Sequence, residues 1–314
     1  MGAYLTQRLC LMLVTLAGIT LLIFAILRVI PGGVETAILG DTATQDQFVA
    51  VRHQLGLDKP LLTQYATWLG GVLHGDLGNS VVSKRSISGD MAARLPVTLE
   101  LGALALLVAL LIAVPVGVLS AMRQDSVTDY AARSLAIAAL SIPSFWLGTL
   151  VITFGARWFG YAPPLTYVKP WVQPLQNLQI IFPPAFILGL ALTGTIMRLT
   201  RAQMLEVLRQ DFIRTAWAKG LRERAVVRRH AVRNAAIPIV TLIGLQVPFL
   251  FGGTVVLEQI FSVPGMGRYL ITAVTQRDFQ VIQAVVLMIA TVVVLSNLLV
   301  DLTYSLLDPR IRYG

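Results

Sequence analysis

The sequence predicts an all-α membrane protein that crosses the bilayer six times. Composition is the first observation behind this. Of 314 residues, 56% are hydrophobic and only 13% charged, whereas a soluble domain carries about a quarter charged residues. Mean hydropathy is +0.73. The second is length. Six apolar stretches, 9–30, 98–122, 134–157, 180–198, 236–257 and 281–307, can each cross a hydrocarbon core of about 30 Å at about 1.5 Å rise per residue. The third is that lysine and arginine concentrate in one connecting segment. A lone cysteine, Cys10, excludes an internal disulfide and a cysteine-based metal cluster.

The first stretch resembles a secretory leader, but its apolar core, Leu9 to Leu27, is longer than an h-region of about 7–15 residues. No small-x-small cleavage site follows it, so it is read as a retained helix. The loop 31–97 is too long for a connector. Thr44 and Gln47 fit a capping box. Phe48, Val51 and Leu55 then follow at helical spacing and Gly56 stops the helix. After Pro60 a second amphipathic run offers Leu62, Tyr65, Leu69, Val72 and Leu73, ended by Gly75. Two short helices are therefore expected across the outer mouth. The loop 158–179 carries Trp158, Phe159, Tyr161, Tyr167 and Trp171, aromatic residues suited to the interface. Pro183 and Pro184 make the fourth span the least suited to a straight helix.

Orientation follows from the basic residues. The segment 198–234 holds ten lysines and arginines against three acids, net +7 of the chain's +9. That places it in the cytoplasm. Six spans then put both termini in the cytoplasm and turn loops 31–97, 158–179 and 258–280 outward. No nucleic-acid recognition motif accompanies the basic cluster, and the positive-inside pattern accounts for it.

Enzymatic chemistry is missing where it would have to be. There is no G-x-x-x-x-G-K-[ST] phosphate loop and no H-E-x-x-H. His53, His74 and His230 all lie outside the spans, so no intramembrane serine–histidine pair is available. The spans are nearly free of charge; Glu100, Arg28, Arg198 and Asp301 sit near ends. A proton or sodium relay has no wire. What the spans do contain is small, polar and helix-loosening residues. Among them are Gly189, Thr193, Gly194 and Thr195 in span four, Pro238, Gln246 and Pro248 in span five, Asn297 in span six, and Ser141-x-Pro143 in span three. These fit close helix packing. They also fit a path that must move, lined by spans four and five, with Thr193, Thr195, Gln246 and Asn297 as polar candidates and Gln246 favoured, since a mid-span amide is costly without a partner.

The inner segment 199–236 is unusual. Leu205, Leu208, Phe212 and Ala216 recur on one helix face, Asp211 can cap a short helix running to Lys219, and Gly220 permits a sharp turn. A second helix from about Glu223 to Asn234 leads to Pro238. This helix–glycine–helix hairpin fits an amphipathic surface helix or a knob for a partner subunit.

The run Asp211-Phe212-Ile213-Arg214-Thr215-Ala216-Trp217-Ala218-Lys219-Gly220-Leu221 resembles the EAA-type loop of ABC importer permeases, closest to the dipeptide, oligopeptide and nickel class. Leu57-Asp58-Lys59-Pro60 with Gln64-Tyr65 and Trp68, Gly75-Asp76-Leu77-Gly78-x-Ser80, Arg94-Leu95-Pro96, Phe261-Ser262-x-Pro264-Gly265-Met266-Gly267 and the ending Asp308-Pro309-Arg310 carry the resemblance along the whole chain. Trp217 and Gln280 depart from it, standing where arginine and proline are common. The resemblance implies a type I importer permease fold (MetI-like) and a non-catalytic role. ATP and magnesium would bind to one or two partner ATPase subunits, with no cofactor in this chain. A second permease and an extracytoplasmic solute-binding protein would complete the complex in a bacterial inner membrane. Asp211, Arg214, Thr215, Ala216, Trp217, Lys219, Gly220 and Leu221 would form the coupling element. The regions are then 1–30, the first helix; 31–97, the outer loop; and 98–314, a five-helix core that includes the coupling loop 199–236. A stand-alone channel or secondary carrier is the alternative. Peptides, glutathione, nickel chelates and sugars all remain open as substrate.

Overall fold

A computed structural model describes residues 2–29, 39, 44–54, 56–164 and 166–307. The expected tail motif from Asp308 onward lies outside these residues, as does most of 30–43. Among the described residues the secondary structure is helical apart from an isolated bridge between Asn79 and Ser86. The helices are α1 (Gly2–Val29), α2 (Gln45–Gln54), α3 (Leu61–Leu73), α4 (Ile87–Met122), α5 (Val127–Ser141) and α6 (Ser144–Phe159). After these come α7 (Pro174–Leu208), α8 (Asp211–Ala218), α9 (Glu223–Leu245), α10 (Val247–Ile260), α11 (Met266–Thr275) and α12 (Phe279–Leu307). Within α9, Val226–Ala231 is π-helical.

Four helices, α1, α4, α7 and α12, are long and apolar enough to cross a membrane, and the count reaches six if each of two bent pairs is one crossing. The expected third span is the pair α5–α6, bent by 89°, and the fifth is α9–α10, bent by 47°. The third breaks because Ile142 precedes a proline and is held extended (φ −89°, ψ 119°), which ends α5. Pro143 then opens α6. In the fifth, the break falls at Gln246, ahead of Pro248, and not at Pro238, which lies inside α9. The fourth span is unbroken despite its prolines: α7 runs 35 residues through Pro183 and Pro184. Pro183 has no N–H for the carbonyl of Gln179, and the Tyr161 hydroxyl donates to that oxygen at 3.4 Å.

Contacts divide the described residues into two compact units, 2–97 with Pro264–Leu298, and Thr98–Val263 with 299–307. In the first, the outer-loop motif residues act as fasteners between α1 and α3. Gln64 accepts from Arg28 Nε and Nη2 (3.1 and 3.0 Å) and donates to the carbonyls of Leu57 and Lys59. The Tyr65 and Thr20 hydroxyls are 2.9 Å apart, and Phe24, Tyr65 and Trp68 form an aromatic cluster. The face of α3 turned to α1 is therefore Tyr65, Trp68 and Val72; Leu62 and Leu73, of the same apolar run, are exposed. The capping box is present in part, with Gln47 Oε1 accepting from Thr44 N. Ser80 donates to Asp278 at 2.5 Å, joining the Gly75–Ser80 turn to the start of α12.

In the second unit α7 is the central strut, touched at its small residues. A Cβ on Gly194 would lie 2.6 Å from the Ala136 carbonyl oxygen of α5, and one on Gly189 2.7 Å from the Ala105 carbonyl oxygen of α4. Backbone cannot yield as a side chain tip does. Gly194→Val is therefore expected to lower stability by about 1–3 kcal/mol, visible as an earlier thermal loss of monodisperse protein in detergent. An unchanged profile would mean that α5 and α7 are not in this contact.

Candidate functional site: the inner hairpin and its anchor

The hairpin is built from α8, a glycine turn and α9. Gln210, not Asp211, holds the N-cap position, and Asp211 is the first helical residue, where its charge favours the helix N-terminus. At the other end Gly220 adopts φ +72°. Its N–H bonds the Trp217 carbonyl (2.9 Å) and the Leu221 N–H reaches the Ala216 carbonyl (3.4 Å). This paired closure is a Schellman turn, which requires a left-handed residue at its corner. The elbow expected at Gly220 is thus a defined backbone conformation.

The inward face differs from expectation. The helix ends at Leu208 and restarts at Asp211, so the 3.6-residue phase is reset. Ile213 and Ala216 are buried, packing on the π-helical segment of α9, where Val226, Val227 and Ala231 are buried too. Phe212, Trp217 and Leu221 instead point outward, 44%, 45% and 39% exposed. With Arg214, Thr215 and Lys219 exposed around them, they give the hairpin an apolar tip ringed by cations. The Arg214–Asp211 pair at 3.5 Å is fully surface-exposed and adds little.

An anchor that the sequence reading missed lies just upstream. Asp129, at the start of α5, is wholly buried. Its carboxylate accepts two bonds from Arg201 (Nε to Oδ1 and Nη2 to Oδ2, both 2.7 Å), one from Ser120 (2.5 Å) and one from the Asp125 N–H (3.1 Å). The ends of α4, α5 and α7 are thereby tied together ten residues before the hairpin. Each charge was visible in the sequence, but 72 residues separate them and no local pattern links them. A second such contact, Thr98 donating to the buried Glu258 at 2.6 Å, joins residues 160 apart that no local pattern links.

The polar candidates for the path lie on α7, at the α9–α10 break and on α12. Thr193 is buried, with its hydroxyl returned to the Gly189 carbonyl. Thr195 is half-buried on the same helix, Gln246 is half-buried at the α9–α10 break, and Asn297 is exposed on α12 in the first unit. Among the described residues no cluster of His, Cys, Asp or Glu suited to a metal ion occurs.

Long apolar helices joined by a glycine-turned hairpin fit a membrane permease subunit, and the chain belongs to the family described as binding-protein-dependent transport system inner membrane component, which matches residues 113–313. The corresponding N-terminal family matches residues 1–102. The chain is similar to the dipeptide transport system permease protein DppB of Escherichia coli, 40% identical over 99% of this chain and 98% of the relative. It is also similar to the oligopeptide transport system permease protein AppB of Bacillus subtilis, 38% identical over the whole of both. In fold it resembles an amino acid ABC transporter crystal structure (TM-score 0.53, 17% identity, 69% of this chain and 93% of that one). The protein is therefore a non-catalytic, multi-pass inner-membrane subunit of an ABC importer, which works with ATPase and substrate-binding partners. The stand-alone carrier reading is set aside.

Proposed function

We propose that the hairpin Asp211–Leu221 is the coupling element of a peptide importer, seated in a cleft of a cytoplasmic ATPase. The observation that carries this is the apolar tip: Phe212, Trp217 and Leu221 stand exposed on a hairpin whose own core, Ile213 and Ala216, is closed. Exposed aromatic side chains on a rigid element are what a partner pocket takes. Docking couples only if its free energy differs between inward-open and outward-open states. The anchor at Asp129 ties the stretch of α7 leading to the hairpin to α4 and α5, so a push that passes from the tip into α7 is carried to them as a rigid-body movement.

The named relatives act on dipeptides and oligopeptides, and short peptides are the substrate class we assign. A second, related permease chain completes the path, to which Thr195 and Gln246 contribute. Both termini lie in the cytoplasm. The bent pair α5–α6 is one crossing on this reading, which a pair of contacts supports. Asp129 meets Ser120 at one end of α4, while Tyr167, in the loop beyond α6, donates to Glu100 at 2.6 Å near the other. Those α4 residues are about 30 Å apart along the helix.

The test is a cysteine at the tip. In a Cys10→Ser background, Trp217→Cys is expected to cross-link to the ATPase in assembled membranes, with a yield that changes on ATP binding. It should resist an impermeant maleimide applied outside intact cells. Labelling from outside, or no ATPase cross-link, overturns the assignment.

A further inference from the structure

The first unit holds a cavity of about 420 Å³ walled by the end of α1, the turn before α3 and α3 itself, the Asp76–Gly78 turn and the start of α12. Its size falls within the about 300–1,000 Å³ usual for small-molecule sites. Arg28 and Lys59 bring positive charge to the lining, Asp76 is its one carboxylate, and Trp68 gives an aromatic wall. One lining group is not explained by folding. Gln283 is only 5% exposed, yet its Nε2 has no hydrogen-bond partner among the described residues. Gln64, in the same lining, has its amide fully engaged, with Nε2 donating to two carbonyls and Oε1 accepting from Arg28. Buried amides are almost always paired, so an orphaned one in the wall of a cavity marks where an acceptor from outside belongs.

We propose that this cavity is a receiving site for a short zwitterionic peptide, its terminal carboxylate accepting from Gln283 Nε2 beside Lys59 and Arg28. The amino end faces Asp76, and a peptide side chain lies against Trp68. The inference rests on the peptide reading above and adds a site to it. On the six-span orientation the end of α1 and the start of α12 are at the outer surface, so the cavity meets solute arriving from the binding protein. Opposite charges within one pocket select a solute carrying both, and the apolar wall tolerates varied side chains.

The test uses the assembled permease–ATPase complex in nanodiscs without the binding protein. Probes are alanyl-alanine and its C-terminal amide, read by equilibrium dialysis, and uptake of alanyl-alanine by the complete importer is measured separately. Alanyl-alanine is expected to bind about ten-fold or more tightly than the amide, and Gln283→Leu to lose about the same factor. Lys59→Met, at an exposed position that folding does not need, should weaken binding several-fold. Equal affinity for the two probes, binding undiminished in both variants, or no binding while the complete importer still takes up alanyl-alanine overturns the site and leaves the substrate reading standing. Absence of uptake by the complete importer refutes the substrate reading, and this inference with it.

Discussion

Gly220→Arg is expected to abolish uptake while the protein still inserts and accumulates in the membrane. The corner of the Schellman turn sits at φ +72°, where any L-residue other than asparagine or aspartate costs about 1–2 kcal/mol. That is small beside a stability of about 5–15 kcal/mol. Within the subunit a side chain has room, since a Cβ at Gly220 meets nothing within 4 Å. The open space is on the side where the ATPase is proposed to seat, so the cost falls on docking, not on folding. Two companions separate conformation from clearance. Gly220→Ala carries the backbone penalty with almost no bulk and should reduce uptake several-fold. Gly220→Asn tolerates the left-handed conformation and should stay closer to the native rate than Gly220→Arg. In the reconstituted complex, solute-stimulated ATP hydrolysis should disappear in Gly220→Arg along with uptake. Normal stimulated hydrolysis in that variant, or a collapse of its membrane level, would sink the account.

The hairpin was legible because its signals are local. A glycine after an eight-residue helix, acids in the first turn and basic residues beyond announce an elbow without reference to the rest of the chain. The same holds for the Thr44–Gln47 cap and the stop at Gly56, which has φ +65°. Signals that depend on helix phase were read less well. Phe212 and Ala216 are expected to share a face with Leu205 and Leu208, but a two-residue interruption resets the phase, so that Ala216 stays inward while Ile213 takes the place of Phe212. On α3 the inward face is set by what α1 offers, namely Phe24, Thr20 and Arg28, which selects Tyr65 and Trp68 over the more apolar Leu62. The sharp break in span three was written in the dipeptide Ile142-Pro143, yet hydropathy runs smoothly across it. Proline inside α7 carries the opposite lesson: the same residue type leaves a helix continuous where a neighbouring hydroxyl serves the freed carbonyl. Least legible were the buried charges, whose partners are set by tertiary contact alone.

Arg201→Leu is expected to be more damaging than Asp129→Leu, and the double variant less damaging than Arg201→Leu alone. Removing the arginine strands a wholly buried carboxylate, which costs about 3–5 kcal/mol when a buried pair is broken. Removing the aspartate strands a guanidinium whose side chain is still 19% exposed and can turn to water. Replacing both removes the stranded charge, so the double-mutant cycle should show strong coupling. Because the tie sits between the ends of α4 and α5 and the stretch of α7 leading to the hairpin, these variants should lose coupled ATP hydrolysis even at temperatures where they remain folded. A folded Arg201→Leu complex with native coupling would show that hairpin motion reaches the spans by another route.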